Sequence, residues 1–214
     1  TAVGTNSGLN ITTGTYNVLL GGRAGDSLTT GSSNVAIGFD ALGAEDEHSN
    51  NVAIGYRALK VQNAGTNAYN VAIGGDAGLS VTTGVRNTIV GGLAGDALTS
   101  GSFNVAIGYK ALSTEDAFGR NIAIGYEALT AQDSSTDAYN IAIGHQAGLN
   151  ISTGVNNTLI GGLAGDALTT GSNNIAIGRS ALGLEDGNGR NVAIGTSALQ
   201  VQNAGADAYN VAVG

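Results

Sequence analysis

Cysteine, proline, methionine and tryptophan are all missing from this 214-residue sequence, and only 5% of its residues are aromatic. Without cysteine there is no disulfide, no thiol nucleophile and no thiolate metal site, and the absence by itself fixes no redox compartment. Two histidines leave few metal ligands. Basic residues are scarce as well, because 8 Lys and Arg against 16 Asp and Glu give a formal charge of −8. A phosphate backbone is bound by clustered Lys and Arg, so nucleic acid is excluded as a partner and anionic membrane surfaces are disfavoured. No apolar run approaches the roughly 20 residues that span a bilayer, and no membrane insertion is expected of this segment. The chain opens without Met or a signal-like stretch and reads as a slice of something longer.

What is present is glycine, 36 residues of it, and an apolar content of 42% carried mostly by Ala, Val, Ile and Leu. Such side chains fill a thin core better than a thick one. They also recur at fixed intervals. Asn stands at positions 17, 34, 51, 70, 87, 104, 121, 140, 157, 174, 191 and 210, each time followed four residues later by Gly. The spacings run 17, 17, 19 and 17 and then repeat, so four short repeats make a 70-residue unit. Superrepeats therefore cover 17–86, 87–156 and, in part, 157–214 of a single repetitive segment, 1–214. The opening "TAVG" and closing "VAVG" lie in the same phase.

Each short repeat reads as one rung. In Val-Ala-Ile the side chains alternate, which puts Val and Ile on one face and Ala on the other. The next residue (Gly38, Gly55, Gly74 and equivalents) supplies a corner with positive φ or a close backbone approach. A second apolar segment and a polar turn complete the rung, which has room for two short strands and two corners. A rung this short cannot bury its own apolar face, whereas stacking on identical rungs can. The expected fold is all-β, a parallel β-solenoid (β-roll) of about twelve rungs of 17–19 residues, rising roughly 4.8 Å per rung. The structural ladder Asn17, Asn34, Asn51, Asn70, Asn87, Asn104, Asn121, Asn140, Asn157, Asn174, Asn191 and Asn210 has two readings. Either amide bonds amide along the axis, or each Asn bonds nearby backbone in the turn.

Function is sought where rungs differ. Counting from Asn as one, the ninth and twelfth positions are Leu42 with Glu45 and Leu59 with Gln62, then the twelfth becomes Val81 or Leu98. One edge of the stack should alternate between acidic or amide patches and a Thr-rich surface patch of Thr82, Thr83, Thr99, Thr153, Thr169 and Thr170. At the third position Leu19, Ile89 and Leu159 replace the usual Ala. With Val and Ile facing inward, these three point outward and are candidate contacts between chains.

Other motifs have plainer explanations. "GGRAGDSL" and "GGLAGDAL" come close to a calcium-binding nonapeptide, but Ala24, Ala94 and Ala164 stand where Gly is needed and the motif returns only every fourth rung. Asp26, Asp96 and Asp166 then read as solvated or turn-capping, and no cofactor is expected, calcium being the one candidate considered. An ice-binding Thr array is interrupted by charge every two rungs. Asn10-Ile11-Thr12 and Asn150-Ile151-Ser152 fit the glycosylation pattern by composition alone. His48 sits by Glu45, Asp46 and Glu47, yet its counterparts are Phe118 and Asn188, which suits a solvated loop better than acid-base chemistry. The paired acids Glu115-Asp116 and Glu185-Asp186 recur once per long period, an odd arrangement for an active site. Tyr69, Tyr139 and Tyr209 close the 19-residue rung, where they cover its larger turn or stack on a sugar.

The runs "NVAIGYRAL", "NIAIGYEAL" and "NIAIGHQAG", with "TTG" between, resemble repeats in head domains of trimeric autotransporter adhesins. They are still more similar to repeat shafts of phage tail fibres and surface proteins with endosialidase-type chaperone ends. The likeness covers essentially the whole chain, although its rungs are longer than those of the adhesin heads. It implies a left-handed coil, a trimer or other homo-oligomer, an extracellular location on a cell surface or virion, and binding to cell-surface glycans or host matrix. The expected function is a non-enzymatic structural or adhesive fibre segment. The alternatives are a calcium-dependent or ice-binding module and the scaffold of a glycan depolymerase spike.

Overall fold

The computed structural model describes residues 1–115, 117–203 and 205–214. Its regular elements are thirteen short strands: β1 (Ala2–Val3), β2 (Val18–Leu20), β3 (Val35–Ile37), β4 (Val52–Ile54), β5 (Val71–Ile73), β6 (Thr88–Val90), β7 (Val105–Ile107), β8 (Ile122–Ile124), β9 (Ile141–Ile143), β10 (Thr158–Ile160), β11 (Ile175–Ile177), β12 (Val192–Ile194) and β13 (Val211–Val213). They form one parallel sheet in chain order. Like residues pair with like: Val35 lies beside Val52, Ala36 beside Ala53 and Ile37 beside Ile54. The same register holds across a 19-residue coil, where Val52 meets Val71, so the two added residues are absorbed in the turn. Parallel neighbours one repeat apart make a β-solenoid of about twelve coils, as the repeat spacing predicts. Among the described residues there is no helix.

The corner after each strand needs glycine. Gly38 has φ +130°, and a Cβ there would lie 2.3 Å from the carbonyl oxygen of Gly55 in the next coil. Any side chain would be both strained and in collision with the stack.

Each coil has one strand instead of the two expected. The second apolar segment winds through consecutive turns in which Leu42 and Leu59 adopt left-handed backbone, with φ 51° and 48°. On a strand Ala41 and Leu42 would face opposite ways, but a left-handed residue breaks that alternation, and both are fully buried. The conformation costs about 1–2 kcal/mol per Leu. Burying the Leu contributes about 1.5–3 kcal/mol, which is enough to hold it there.

The sheet is also reversed relative to the sequence expectation. Ala36, Ala53, Ala72, Ala106 and their equivalents face the interior at 0% exposure, while the flanking Val and Ile are half-buried or exposed on the outside. Leu19, Ile89 and Leu159 therefore point into the core, at 0–1% exposure, and are not contacts between chains. Volume explains the substitution. The ninth position is Leu42 and Leu59 in two successive coils and Gly78 and Gly95 in the next two, and the large third-position residue Ile89 lies beside both glycines, as Leu159 lies beside Gly148 and Gly165. A Cβ on Gly25 would meet Leu19 Cδ2 at 2.9 Å, and one on Gly165 would meet Leu159 Cδ2 at 2.8 Å. The third-position side chain occupies the room that glycine leaves, keeping the interior filled.

Candidate functional site

The asparagine column is the most regular polar feature and lies inside the stack. Asn17 through Asn191 are buried, and Asn210 is partly exposed. Each Oδ1 accepts the backbone N–H of the Asn one coil on, at distances from 2.8 Å (Asn70 to Asn87) to 3.2 Å (Asn51 to Asn70). The amide nitrogen reaches the end of its own coil: Asn17 donates to the Gly31 carbonyl at 2.8 Å, and Asn87 and Asn157 to Gly101 and Gly171 at 2.9 Å. Of the two sequence readings, backbone bonding prevails. Amide bonds amide directly between Asn157 and Asn140, at 3.2 Å. One side chain thus closes its coil and joins it to the next. Asn51, Asn121 and Asn191, which open the 19-residue coils, have the amide nitrogen buried without a partner, and so does Asn104, which opens a 17-residue coil. The longer turn carries position fifteen outward, and a Cβ on Gly65 would touch nothing within 4 Å.

The twelfth position supplies the second set of buried polar groups. In the coils opened by Asn34, Asn104 and Asn174, Glu45, Glu115 and Glu185, all fully buried, accept the backbone N–H three residues on, from His48 at 3.2 Å, Phe118 at 3.3 Å and Asn188 at 3.2 Å. The bond is the same whichever side chain follows, so the carboxylate clamps a turn. In the 19-residue coils Gln62 and Gln132 accept from Asn70 at 2.5 Å and from Asn140 at 2.6 Å.

His48 Nδ1 lies 3.0 Å from Glu45 Oε1. Burial pushes the Glu45 carboxyl above its ordinary pKa, and the hydrogen bonds and charge of His48 pull it partly back. Ligand atoms of Glu45, Asp46 and His48 fall within 4.8 Å of one another. The His is absent from the other two copies, while the clamp is in all three. Asp116, half of a paired-acid motif, lies outside the described residues. In its counterpart pair Glu185 is sealed in the stack, while Asp186 is exposed and accepts the Gly187 N–H at Oδ1.

The remaining candidates separate. Asp26 pairs with Arg23 at 3.3 Å, and burial raises the pKa of Asp96 and Asp166. These three recur four coils apart, roughly 19 Å, too far to share an ion. Thr82 donates its hydroxyl to the Thr99 carbonyl at 3.1 Å, Thr169 to Asp186 at 2.9 Å and Thr170 to Gly187 at 3.4 Å. These hydroxyls brace the next coil, while Thr83 and Thr153 are exposed. Asn10 and Asn150 are exposed, and each donates to an Asp carbonyl one coil on, at 2.7 Å. A depression of about 240 Å³ lies at the first coil, lined by Ile11, Tyr16, Asn17 and Leu19 among others, and gathers no acid, base or nucleophilic set.

The exposed chemistry is aromatic and sits along the two edges of the outer sheet face. Beyond the corner glycine, Phe39 stacks on Tyr56 (6.0 Å), and Tyr109, Tyr126 and His145 stack in turn at 5.7 and 5.2 Å. On the opposite edge, Arg86 and Arg120 lie over Phe103 at 5.4 and 5.0 Å, and Arg120 also lies 5.6 Å over Tyr139. Tyr69, Tyr139 and Tyr209 belong to this edge and are 52–62% exposed. Sequence reasoning missed the outward Val and Ile rows between these edges. Their signal was the lack of any charged residue at the second and fourth positions of every coil.

No protein-family model matches the chain, and comparison with curated proteins and with solved structures gives no match either. The adhesin and tail-fibre resemblance thus rests on the repeated pentapeptide and its register.

Proposed function

We propose that the chain is a non-enzymatic structural and adhesive segment of an extracellular fibre, a rod that holds a binding surface away from a cell or virion or meets surface glycans along its side. The observation that carries this reading is the continuity of the axial seam. The same Asn side chain ties each coil to the next from Asn17 to Asn210, through 17- and 19-residue coils alike. Glu45, Glu115 and Glu185, which suggest chemistry in the sequence, bond backbone within the stack, which suits a stiff support better than a reaction centre. The resemblance adds the extracellular setting and the glycan or matrix partner.

Negatively stained particles of the purified chain should be straight rods about 60 Å long. Beads coated with it should be retained on glycan- or matrix-coated surfaces and should release no reducing sugar from polysaccharides. Round particles, absence of retention, or sugar release that copurifies with the chain would each count against the reading.

A further inference from the structure

We propose that Asp186 is a site of spontaneous covalent modification, isomerising to isoaspartate in the folded chain, while the stack protects the adjacent Asn188 from deamidation. Asp-Gly and Asn-Gly each occur once in the sequence, at 186–187 and 188–189, in the turn "EDGNG" of the last superrepeat. In both pairs the glycine nitrogen can attack the side-chain carbonyl carbon before it, because no Cβ hinders closure of the five-membered ring. By sequence alone Asn188 is the more reactive, since an ionised carboxylate resists nucleophilic attack and a neutral amide does not. The fold reverses that order.

Asp186 and Gly187 are both exposed, and the Gly187 nitrogen lies 2.5 Å from Asp186 Oδ1, one covalent bond short of the carbon it must reach. Held at that distance, the two groups need little rearrangement to react. A Cβ on Gly187 would meet only Thr170 Oγ1, at 3.4 Å, so the turn has room to move. Asn188 and Gly189 are instead fixed by their neighbours. Gly189 is buried, its N–H donates to Asp207 Oδ1 at 2.9 Å, and a Cβ there would lie 2.1 Å from the Ser172 carbonyl oxygen. The Asn188 amide nitrogen and backbone N–H both donate to Glu185 Oε1, at 3.0 and 3.2 Å, and its carbonyl accepts from Asn174 Nδ2 at 3.2 Å. The first superrepeat contains an internal control. There the Glu47 N–H donates to Asp46 Oδ1 at 2.7 Å, the same contact with a side chain where Gly187 has none.

The reaction needs only water and is redox-neutral. Gly187 N loses its proton and bonds Asp186 Cγ, and a Cγ–O bond of the protonated carboxyl breaks to release one water. Water then opens the succinimide: at the α-carbonyl it leaves isoaspartate, with the main chain running through Cγ, and at Cγ it restores aspartate. Isoaspartate adds one carbon to the main chain. A carboxylate then replaces the carbonyl that accepts the Thr169 N–H at 2.6 Å and hydroxyl at 2.9 Å, which loosens this turn from the coil before it. The inference stands apart from the fibre reading, since a chain that does not age at this turn would leave that reading intact.

The test is peptide mapping of the full chain after storage in mildly acidic and in neutral buffer, native and in urea, with electron-transfer fragmentation to separate isoaspartate from aspartate. In the native chain isoaspartate should accumulate at 186 at least about tenfold faster than at Asp46, and faster than Asn188 deamidates. In urea Asn188 should deamidate about tenfold to a hundredfold faster than in the native chain, because the bond from Gly189 to Asp207 is gone. Gly187→Ala, the residue that Ala117 supplies in the second superrepeat, should suppress isoaspartate with strand circular dichroism unchanged. Isoaspartate no faster at 186 than at 46, or native Asn188 deamidating ahead of it, overturns the inference. If Gly187→Ala fails to fold, the comparison of 186 with 46 within the one wild-type chain decides.

Discussion

At the scale of single residues, the buried amides and acids do structural work that neutral and charged groups perform unequally. Glu45 is sealed from solvent, and its pKa is raised in the folded chain chiefly by burial. A raised carboxyl favours the folded state fully below the unfolded pKa, near 4.5. That contribution is lost as pH rises through the folded value, so at pH 7 the ionised side chain costs stability. Glu45→Gln keeps an oxygen to accept the His48 N–H and, like Gln62 at the same position, carries no charge. Its melting temperature at pH 7 should rise by a few degrees, and the fall in stability between about pH 4 and 7 should flatten. Asn87 makes the opposite case. Its Oδ1 and Nδ2 bond Asn104 N and Gly101 O, both at 2.9 Å. Asn87→Ala strands a buried N–H and a buried carbonyl, at about 1–3 kcal/mol each, which urea titration will read. Asn87→Asp retains the acceptor but sets a buried carboxylate against the Gly101 carbonyl, so at pH 7 it should cost at least as much as Ala, and less as the pH is lowered.

At the scale of the strand and its coil, the decisive quantity is interior volume. Ile89 fills the space opposite Gly95 with 0% exposure, so Ile89→Ala should cost about 2–5 kcal/mol. In a stack that couples only neighbouring coils the loss should be local, with amide exchange accelerated in β5–β7 and little changed in β11–β13. A change to Asp at positions 19, 89 and 159 should abolish strand content outright, because three charges would enter the core. Much of the coil was legible beforehand: Asn marks its start, Gly38 and its equivalents mark the corner, and their spacing sets the register. Which face of Val-Ala-Ile turns inward was not, because a strand apolar on both sides gives alternation no polar reference and size alone favours Val and Ile. The coupling of Leu19 to Gly8 and Gly25, of Ile89 to Gly78 and Gly95, and of Leu159 to Gly148 and Gly165, in neighbouring coils, carried the answer. It is visible only when the third and ninth positions are read together. The single strand per coil was hidden for a related reason, since nothing in Ala41-Leu42 announces a left-handed Leu.

At the scale of the whole molecule, stability is distributed along an axis instead of around a centre. Side-chain amides, strand pairing and the Ala and Leu columns all act between one coil and the next. Length is then set by the number of coils and width by their common outline. The candidate site follows the same rule: buried polar residues were readable by position but not by the backbone groups they bond, while the outward rows and aromatic edges gain meaning only once coils stack. Removal of one complete superrepeat, 87–156, tests this most directly, by small-angle X-ray scattering of the shortened and full chains under identical conditions. Four coils fewer should shorten the longest dimension by about 19 Å with an unchanged cross-section. A chain that shrinks in all directions, or keeps its length, would contradict the coaxial stack.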